Sequence, residues 1–513
     1  MGYKRISIVI PTGYEDDRLR KKIERLLLIK DFTYSIESKS LDARKKNNIH
    51  WEMRILVSSD EYSDDLNVSK PELEIPYKKR NKNVVVVGSG PAGFFAATIL
   101  QQAGFNTTLI ERGTDVKKRT EGIEVFEATG IFNPVSNYAM GEGGAGTFSD
   151  GKLTSRSSRI SIEKKFILAS YVNAGAPDEI QYMTHPHLGS DNLKIIVENL
   201  RKQFVNIGGT VLFETTMIDL KVENNKVSHI ETNKGNIDSD YFLVAPGHSS
   251  YDTYRMLMKR SVGFHTKNFA LGSRMEHHQE IINMAQWGRK SISGVKAAEY
   301  RLTSKGDGKQ QVYSFCMCPG GVIVPAMAVE QANIVNGMSK YLRNEKFANA
   351  ACVATINLGD LLKREVLAEE TLDWMENLER SFYEFSLGYK APMCSIRDFI
   401  NKKVTNTVSE TSYPLGIIQA PLWELLPDNV EKAIREGLKD FIRKMKGFET
   451  GNIMGLESKT SAPIQVEREN DGRCSGFENL YVIGEGSGYS GGIISSAADG
   501  VKAAMTIISG EYS

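Results

Sequence analysis

Gly88, Gly90 and Gly93 are spaced GxGxxG, and an acid, Glu111, follows 21 residues beyond Gly90. This set suits a pyrophosphate. The first glycine allows a tight turn, the second lets a phosphate approach the backbone, and the third lets a helix pack on a strand. Pro91 and Ala92 open that helix, whose unpaired N–H groups and positive dipole end face the phosphate. Pro91 fits an early helical position, where a missing N–H costs little. Glu111 is placed to accept from ribose hydroxyls, and an acid there disfavours a 2′-phosphate. Arg112, the next residue, is assigned to the same cofactor set.

Other residues invite chemistry with less pattern behind them. Arg274, Glu276 and His277 in GSRMEHHQE combine an arginine fork for an anionic substrate with groups able to move a proton. A structural ion-pair role fits them equally well. Cys316 and Cys318 in FCMCPGG are candidate redox thiols, although a CxC disulfide closes a small, easily strained ring. Buried thiols in a turn are the plainer reading. His185 and His187 lie two apart and His277 and His278 are adjacent, neither of which is a helical ligand pair, so no metal is expected. The loop GEGGAGTFSDGK (141–152) holds a third GxGxxG with no apolar strand before it. Its glycines, Gly144 and Gly146 among them, are expected to let backbone run close to the bound nucleotide, with Lys152 either balancing negative charge or lying on the surface.

Elements must hold these residues in place. Val84–Val87 is all apolar, as in a parallel strand buried on both faces, and Thr107–Ile110 is the next strand. Near the end of the chain, NLYVIGEGSGYSGG repeats GxGxxG at Gly486, Gly488 and Gly491, yet only 22 residues follow Gly491. That is too few for a second dinucleotide half, so this piece must be one strand and one helix added to a sheet begun elsewhere.

This split arrangement resembles the glutathione-reductase-type FAD superfamily, and YFLVAPGHS (241–249) resembles its ATG motif, with Pro246 where threonine is common. The resemblance implies FAD, with the final strand beside the first and a helix N-terminus facing the flavin, stabilising its reduced, negative form. It also assigns Gly247, Gly484, Glu485, Gly491, Gly492 and Ile493 to the cofactor. Longer stretches, among them GEGGAGTFSDGKL, HLGSDNL, FALGSRMEHHQEIIN, YSFCMCPGGVIVPA and GEGSGYSGGIISSAADG, are similar to bacterial FAD-dependent, so-called NAD-utilizing dehydrogenases of unassigned substrate. The chain departs from that family at ESKTSAP, where arginine is commoner before Thr-Ser, and at APMCSIRDF.

The expected fold class is α/β. A split Rossmann-like FAD-binding domain, with a parallel sheet and a β-meander read over 210–250, spans 83–250 and 451–513. An inserted α+β substrate or cap domain spans 251–450. A small N-terminal α+β module (1–70) of β-α-β-β order and a linker (71–82) precede them. Helical spacing recurs around 161–173 and near 326–343, 360–385 and 428–446.

Composition narrows the classes. Sixty-four basic against 63 acidic residues argue against a polyanion binder, although residues 1–54 carry thirteen Lys/Arg against eight Asp/Glu. Five cysteines without a CxxC pair read as a reduced, cytoplasmic protein, and no run of about 18 apolar residues spans a bilayer. The expected function is hydride transfer between flavin N5 and a small organic substrate or NAD(P)H. No second dinucleotide domain lies between the two FAD halves, so any NAD(P)H visits transiently. The alternative is a flavin-dependent RNA-modifying or RNA-binding protein that uses the basic N-terminal module. Substrate and oligomeric state are not readable.

Overall fold

The computed structural model describes residues 2–62, 71–155, 157–405 and 410–511. Residues 63–70, the end of the expected N-terminal module, lie outside this set. The first elements are β1 (Gly2–Pro11), α1 (Asp16–Leu27), β2 (Thr33–Asp42) and β3 (His50–Ser59). They form the expected β-α-β-β unit, an antiparallel sheet of order β1-β3-β2. Alternation puts Trp51, Met53, Ile55 and Val57 on one buried face, where Leu19 and Ile23 of α1, four apart, meet them. Residues 71–82 have no regular structure but are not loose. Leu73 and Ile75 pack on the next core, and the Arg80 guanidinium lies 4.8 Å from the Phe105 ring centre.

The second unit contains β4 (Asn83–Val87), α2 (Pro91–Gln102), β5 (Asn106–Ile110), α3 (Val116–Thr129), α4 (Ser161–Asn173), α5 (Gly189–Asn206) and β6 (Thr210–Leu212). A meander of β7 (Met217–Glu223), β8 (Lys226–Thr232) and β9 (Gly235–Asp238) follows, then β10 (Tyr241–Val244). Near the other end of the chain come β21 (Leu480–Val482) and α13 (Ile493–Gly510). The parallel sheet has the order β21-β10-β4-β5-β6. Val84 and Val86 face α2, α4, α5 and α13, whereas Val85 faces the meander; burial on both sides explains the unbroken apolar run.

Two expectations need correction here. The meander covers only β7 to β9, because β6 and β10, at the two ends of the stretch, insert into the parallel sheet. The final strand therefore pairs with β10, not with β4 (Phe242 opposite Leu480 and Val85). The sequence YFLV has no polar face to leave in a half-exposed meander, so it is buried between two parallel neighbours.

Between β10 and β21 lie α6 (Tyr251–Lys259), β11 (Phe264–Thr266), β12 (Phe269–His278), α7 (Gln279–Trp287), β13 (Thr303–Ser304), β14 (Val312–Pro325), β15 (Val335–Ser339) and β16 (Phe347–Ile356). Then come α8 (Leu358–Leu362), α9 (Ala368–Ser386), β17 (Ala391–Ser395), α10 (Ile396–Asn401), β18 (Ile417–Gln419), α11 (Leu422–Leu425), α12 (Asp428–Lys444), β19 (Asn452–Glu457) and β20 (Ile464–Val466). Eight of these strands make one sheet, β13-β14-β16-β12-β19-β17-β18, with β15 paired to β14. Phe269, Leu271 and Met275 of β12 share a core with α9 and α12. The helices expected near 360–385 and 428–446 are α9 and α12. The one expected near 326–343 is absent, and its C-terminal half is β15. There Gly337 packs so closely on the next strands that a Cβ would lie 2.1 Å from Arg274 Nη2 and from Asn349 Oδ1. Strand pairing overrides the local helical spacing.

Candidate functional site

The first elbow is closed where the chain must turn and open where a ligand would approach. Gly88 has φ +96°, and a Cβ there would fall 2.3 Å from the Ala245 carbonyl oxygen; one on Gly93 would fall 2.0 Å from that of Gly88. At Gly90 nothing lies nearer than Gly144 Cα, 3.8 Å away. Pro91 opens α2, and no side chain caps this end. Glu111 is buried beside it, accepting from the Ser89 N–H (2.9 Å), the Ser89 hydroxyl (2.7 Å) and the Gly113 N–H (2.8 Å). A carboxylate offers more acceptor positions than these, so Glu111 retains capacity toward a ribose. Arg112 does not point there. Its guanidinium donates to Asp252 and Thr253 of α6, because that helix brings the nearest acceptors.

The glycine-rich loop is shaped by Arg119, a residue the sequence reading passed over. Fully buried in α3, it donates to the carbonyls of Asn137 (2.9 Å), Tyr138 (3.0 Å), Gly141 (3.3 Å), Glu142 (2.8 Å) and Gly144 (2.9 Å). Held this way, Gly144 abuts Gly90 (a Cβ at 144 would lie 3.1 Å from Gly90 Cα) and Gly146 abuts Ile493. The loop is a strap across the first elbow rather than another nucleotide turn.

The second elbow meets the first. Gly484 has φ +76°, and its missing Cβ would stand 2.6 Å from the Ala92 Cβ; at Gly500 a Cβ would come 2.0 Å from the Ala92 carbonyl oxygen. Helix α13 therefore lies directly on α2. Asp499 fastens the turn by accepting from the Gly484 N–H (2.7 Å). Gly247 and Gly492, both at positive φ, have nothing within 4 Å of a Cβ position, and Gly491 has only the Glu485 carboxylate at 3.8 Å. A cavity at this junction is lined by Ser89, Pro91, Gly146 and Ile493 with Phe94 and Phe213. Glycines packed shut behind the turns and open in front of them form a cradle that fits an extended dinucleotide.

The cap sheet adds a cluster of thiols and charges. Strand β14 loses register with β16 around Cys316–Pro319, and Cys316 sits at φ +43°, a strained position for a side-chain-bearing residue. Arg274 holds this bulge. Its Nη2 donates to the Cys316 carbonyl (2.8 Å) and reaches Cys318 Sγ (3.5 Å), Nε donates to Asn349 (2.8 Å), and Nη1 donates to Asn336 (3.0 Å) and Glu457 (2.8 Å). Every N–H of this fully buried guanidinium is taken, so the expected role as a fork for a substrate anion is corrected. Arg274 positions the Cys-Met-Cys turn.

Lys152 approaches the same turn, donating to the Met317 carbonyl, and its Nζ lies 3.0 Å from Asp150. Asp150 is also gripped by Arg343 through two bonds (3.0 and 2.6 Å). Burial would raise the Asp150 pKa, but Lys152 and Arg343 win and hold it well below the carboxylate range. Although hemmed in by protein, the Lys152 side chain keeps 28 % exposure, so it borders an opening. Cys316 is the one partly exposed cysteine; the other four are buried. Its hydrogen bond with Cys318, opposed by burial and aided by Lys152 and Arg274, lowers its pKa below the thiol range, and the same bond raises that of Cys318.

Glu276 and His277 do not join this cluster. Glu276 accepts from the N–H (3.2 Å) and hydroxyl of Ser412, which fixes that segment, and burial raises its pKa. His277 lies on the opposite face of β12 from Arg274, since neighbours on a strand alternate. Its Nε2 is 2.8 Å from the Phe448 carbonyl, and burial lowers its pKa to about 4. The departure at ESKTSAP is structural as well: Lys459 is buried in an ion pair with Glu379 (2.8 Å) and bonds the Tyr251 hydroxyl (2.6 Å).

His248 went unread in the sequence and stands between the two clusters. Its Nδ1 is 3.4 Å from Glu485 in the second elbow, and it also acts electrostatically on Glu457, the carboxylate bound to Arg274. His248 Nε2 and Thr460 Oγ1 are buried with no hydrogen-bond partner among the described residues.

Two glycine elbows clasped on one parallel sheet, under a cap that brings thiols and charges to the junction, define an α/β oxidoreductase of the dinucleotide-binding type. Residues 82–281 match the family model for pyridine nucleotide-disulphide oxidoreductase, and residues 268–460 match that for FAD-dependent protein, C-terminal domain-like. An uncharacterized protein of Clostridium beijerinckii is 38% identical over 510 residues, 95% of this chain and 93% of that protein. The chain belongs to this FAD-dependent oxidoreductase family, and FAD is its cofactor. Among solved structures, glycine oxidase from Bacillus cereus is 11% identical, with 84% of this chain and 96% of that one covered at a TM-score of 0.34. L-proline dehydrogenase from P. horikoshii is 13% identical, with 85% and 94% covered at a TM-score of 0.35. No helix among the described residues is long and apolar enough to cross a membrane.

Proposed function

We propose that the protein is a dehydrogenase or reductase moving hydride between FAD and a small organic substrate bound against Lys152 and the Cys316–Cys318 turn, with NAD(P)H as a transient partner. FAD, when bound, would supply the hydride chemistry. The chain's own residues hold and orient. The open N-terminus of α2 and Gly90 would receive the pyrophosphate, Glu111 the ribose, and the Gly491–Ile493 start of α13 the flavin end, where its dipole favours negative charge. Lys152, charged and bordering the opening, would orient an acidic substrate group, a duty Arg274 cannot perform.

The observation that carries this reading is the contact of Gly484 with Ala92, which brings both elbows to one place. Reconstitution with FAD followed by stopped-flow mixing with NADH, NADPH and then fractionated metabolites tests it. A bound yellow flavin that bleaches with a donor is expected. A protein that binds no FAD, or whose flavin no donor reduces, would sink the reading.

The strained Cys316 conformation favours a second reading, in which Cys316 and Cys318 pass two electrons and two protons to the flavin as they close to a disulfide. Reductive titration separates the two. The relay requires four electrons per chain for the oxidised protein, and the simple dehydrogenase requires two.

A further inference from the structure

We propose that His248 is the proton-accepting group of the flavin site and that Glu485 is its positioning residue. The proposal rests on the hydride-transfer reading above and assigns the proton that must accompany the hydride.

His248 follows Gly247 at the end of β10, where the Tyr254 hydroxyl holds the Gly247 carbonyl (2.7 Å). The second elbow presses on this loop, a Cβ at Gly486 lying 2.8 Å from the same carbonyl oxygen. The imidazole is thus fixed between the flavin elbow and the cap, with its side chain 11% exposed. Glu485 lies at 3.4 Å on the Nδ1 side, where a carboxylate would favour the tautomer with the proton on Nδ1. Nε2 then carries the lone pair, and it is this nitrogen that is buried without a partner among the described residues. A base needs just that: one ring nitrogen oriented, the other free.

Two carboxylates stand around the imidazole. Glu485 faces it from the elbow and Glu457 from β19. Each carboxylate also has a cation of its own, Lys267 within electrostatic reach of Glu485 and Arg274 bonded to Glu457, and Tyr254 also senses Glu485. In the oxidation of an alcohol or amine, the substrate C–H bond would break and its electron pair would leave as hydride, for which bound FAD would be the acceptor. The O–H or N–H bond breaks with its proton going to Nε2, and the C=O or C=N bond forms. Two electrons and one proton enter the protein site together with the hydride's own hydrogen, so the atoms balance.

The test needs no known substrate. FAD-reconstituted protein is photoreduced with EDTA under nitrogen, and the midpoint potential and proton uptake are followed from pH 6 to 9. With His248 taking one proton per two electrons, His248→Gln should flatten the potential–pH slope by about 30 mV per pH unit over part of that range and remove one proton per flavin. Glu485→Gln, the second variant should His248→Gln not fold, should move the proton-uptake transition to lower pH. Superimposable curves for wild type and either variant, with FAD bound in both, overturn the proposal and leave the hydride reading standing. A wild-type protein that binds no FAD overturns both.

Discussion

Arg274 and Glu457 meet at 2.8 Å with their side chains 0% and 1% exposed, across the strand pair β12–β19. Removing one partner strands the other charge in the interior. Glu457→Gln and Arg274→Met should each cost about 3–5 kcal/mol in urea unfolding. Arg274→Lys should fare little better, because a lysine cannot reach Asn349, Asn336 and the Cys-Met-Cys turn at once.

The two elbow glycines of α2 should separate binding from folding. Gly90→Ala adds a methyl with no atom nearer than 3.8 Å, so thermal stability of the FAD-free protein should stay within about 1 kcal/mol while FAD affinity falls at least tenfold. Gly93→Ala drives a methyl to 2.0 Å from the Gly88 carbonyl oxygen and should destabilise the FAD-free protein by about 3 kcal/mol or more. Equal behaviour of the two variants would mean that the elbow does not face the cofactor.

Arg119→Met keeps the volume but abandons five carbonyls, four of them in fully buried contacts. A loss of roughly 3 kcal/mol or more is expected from the unpaired acceptors. FAD titration by fluorescence quenching should also weaken, since Gly144 would no longer be held against Gly90.

Stability should fall on mild acidification. Burial lowers His277 to about 4, and burial, with Arg343 adding, does the same to His187. The unfolded chain takes up these protons first, near pH 6.5. The contribution is therefore complete above pH 6.5 and is lost as pH falls through the window from 6.5 to 4. Each imidazole contributes up to about 3 kcal/mol of this slope. Urea midpoints at pH 7 and pH 4.5 check it, and His277→Leu should shrink the difference.

The elbows were legible because backbone geometry demands particular residues there: only glycine tolerates the φ of Gly88 and Gly484 or the 2.0 Å approach at Gly93 and Gly500. The N-terminal sheet was legible from the alternation in β3. What escaped depends on partners distant in sequence. Arg119 looks like a solvated helix position until the loop 137–144 folds over it. Arg274 looks free until Asn336, Asn349 and Glu457 arrive from three other strands. His248 carries no local pattern, and only the second elbow gives it Glu485. Helical spacing at 326–343 misled because Gly337 answers to Arg274 and Asn349 across the sheet rather than to its own neighbours.

Val244 and Val482 are paired in one ladder, though the whole cap is encoded between them. On the ribosome, β10 emerges with a bare edge that stays bare while about 235 further residues are made. The clasp around the nucleotide is therefore the last joint to close, and a nascent chain stalled anywhere in the cap would present an unfinished sheet to whatever chaperone attends it.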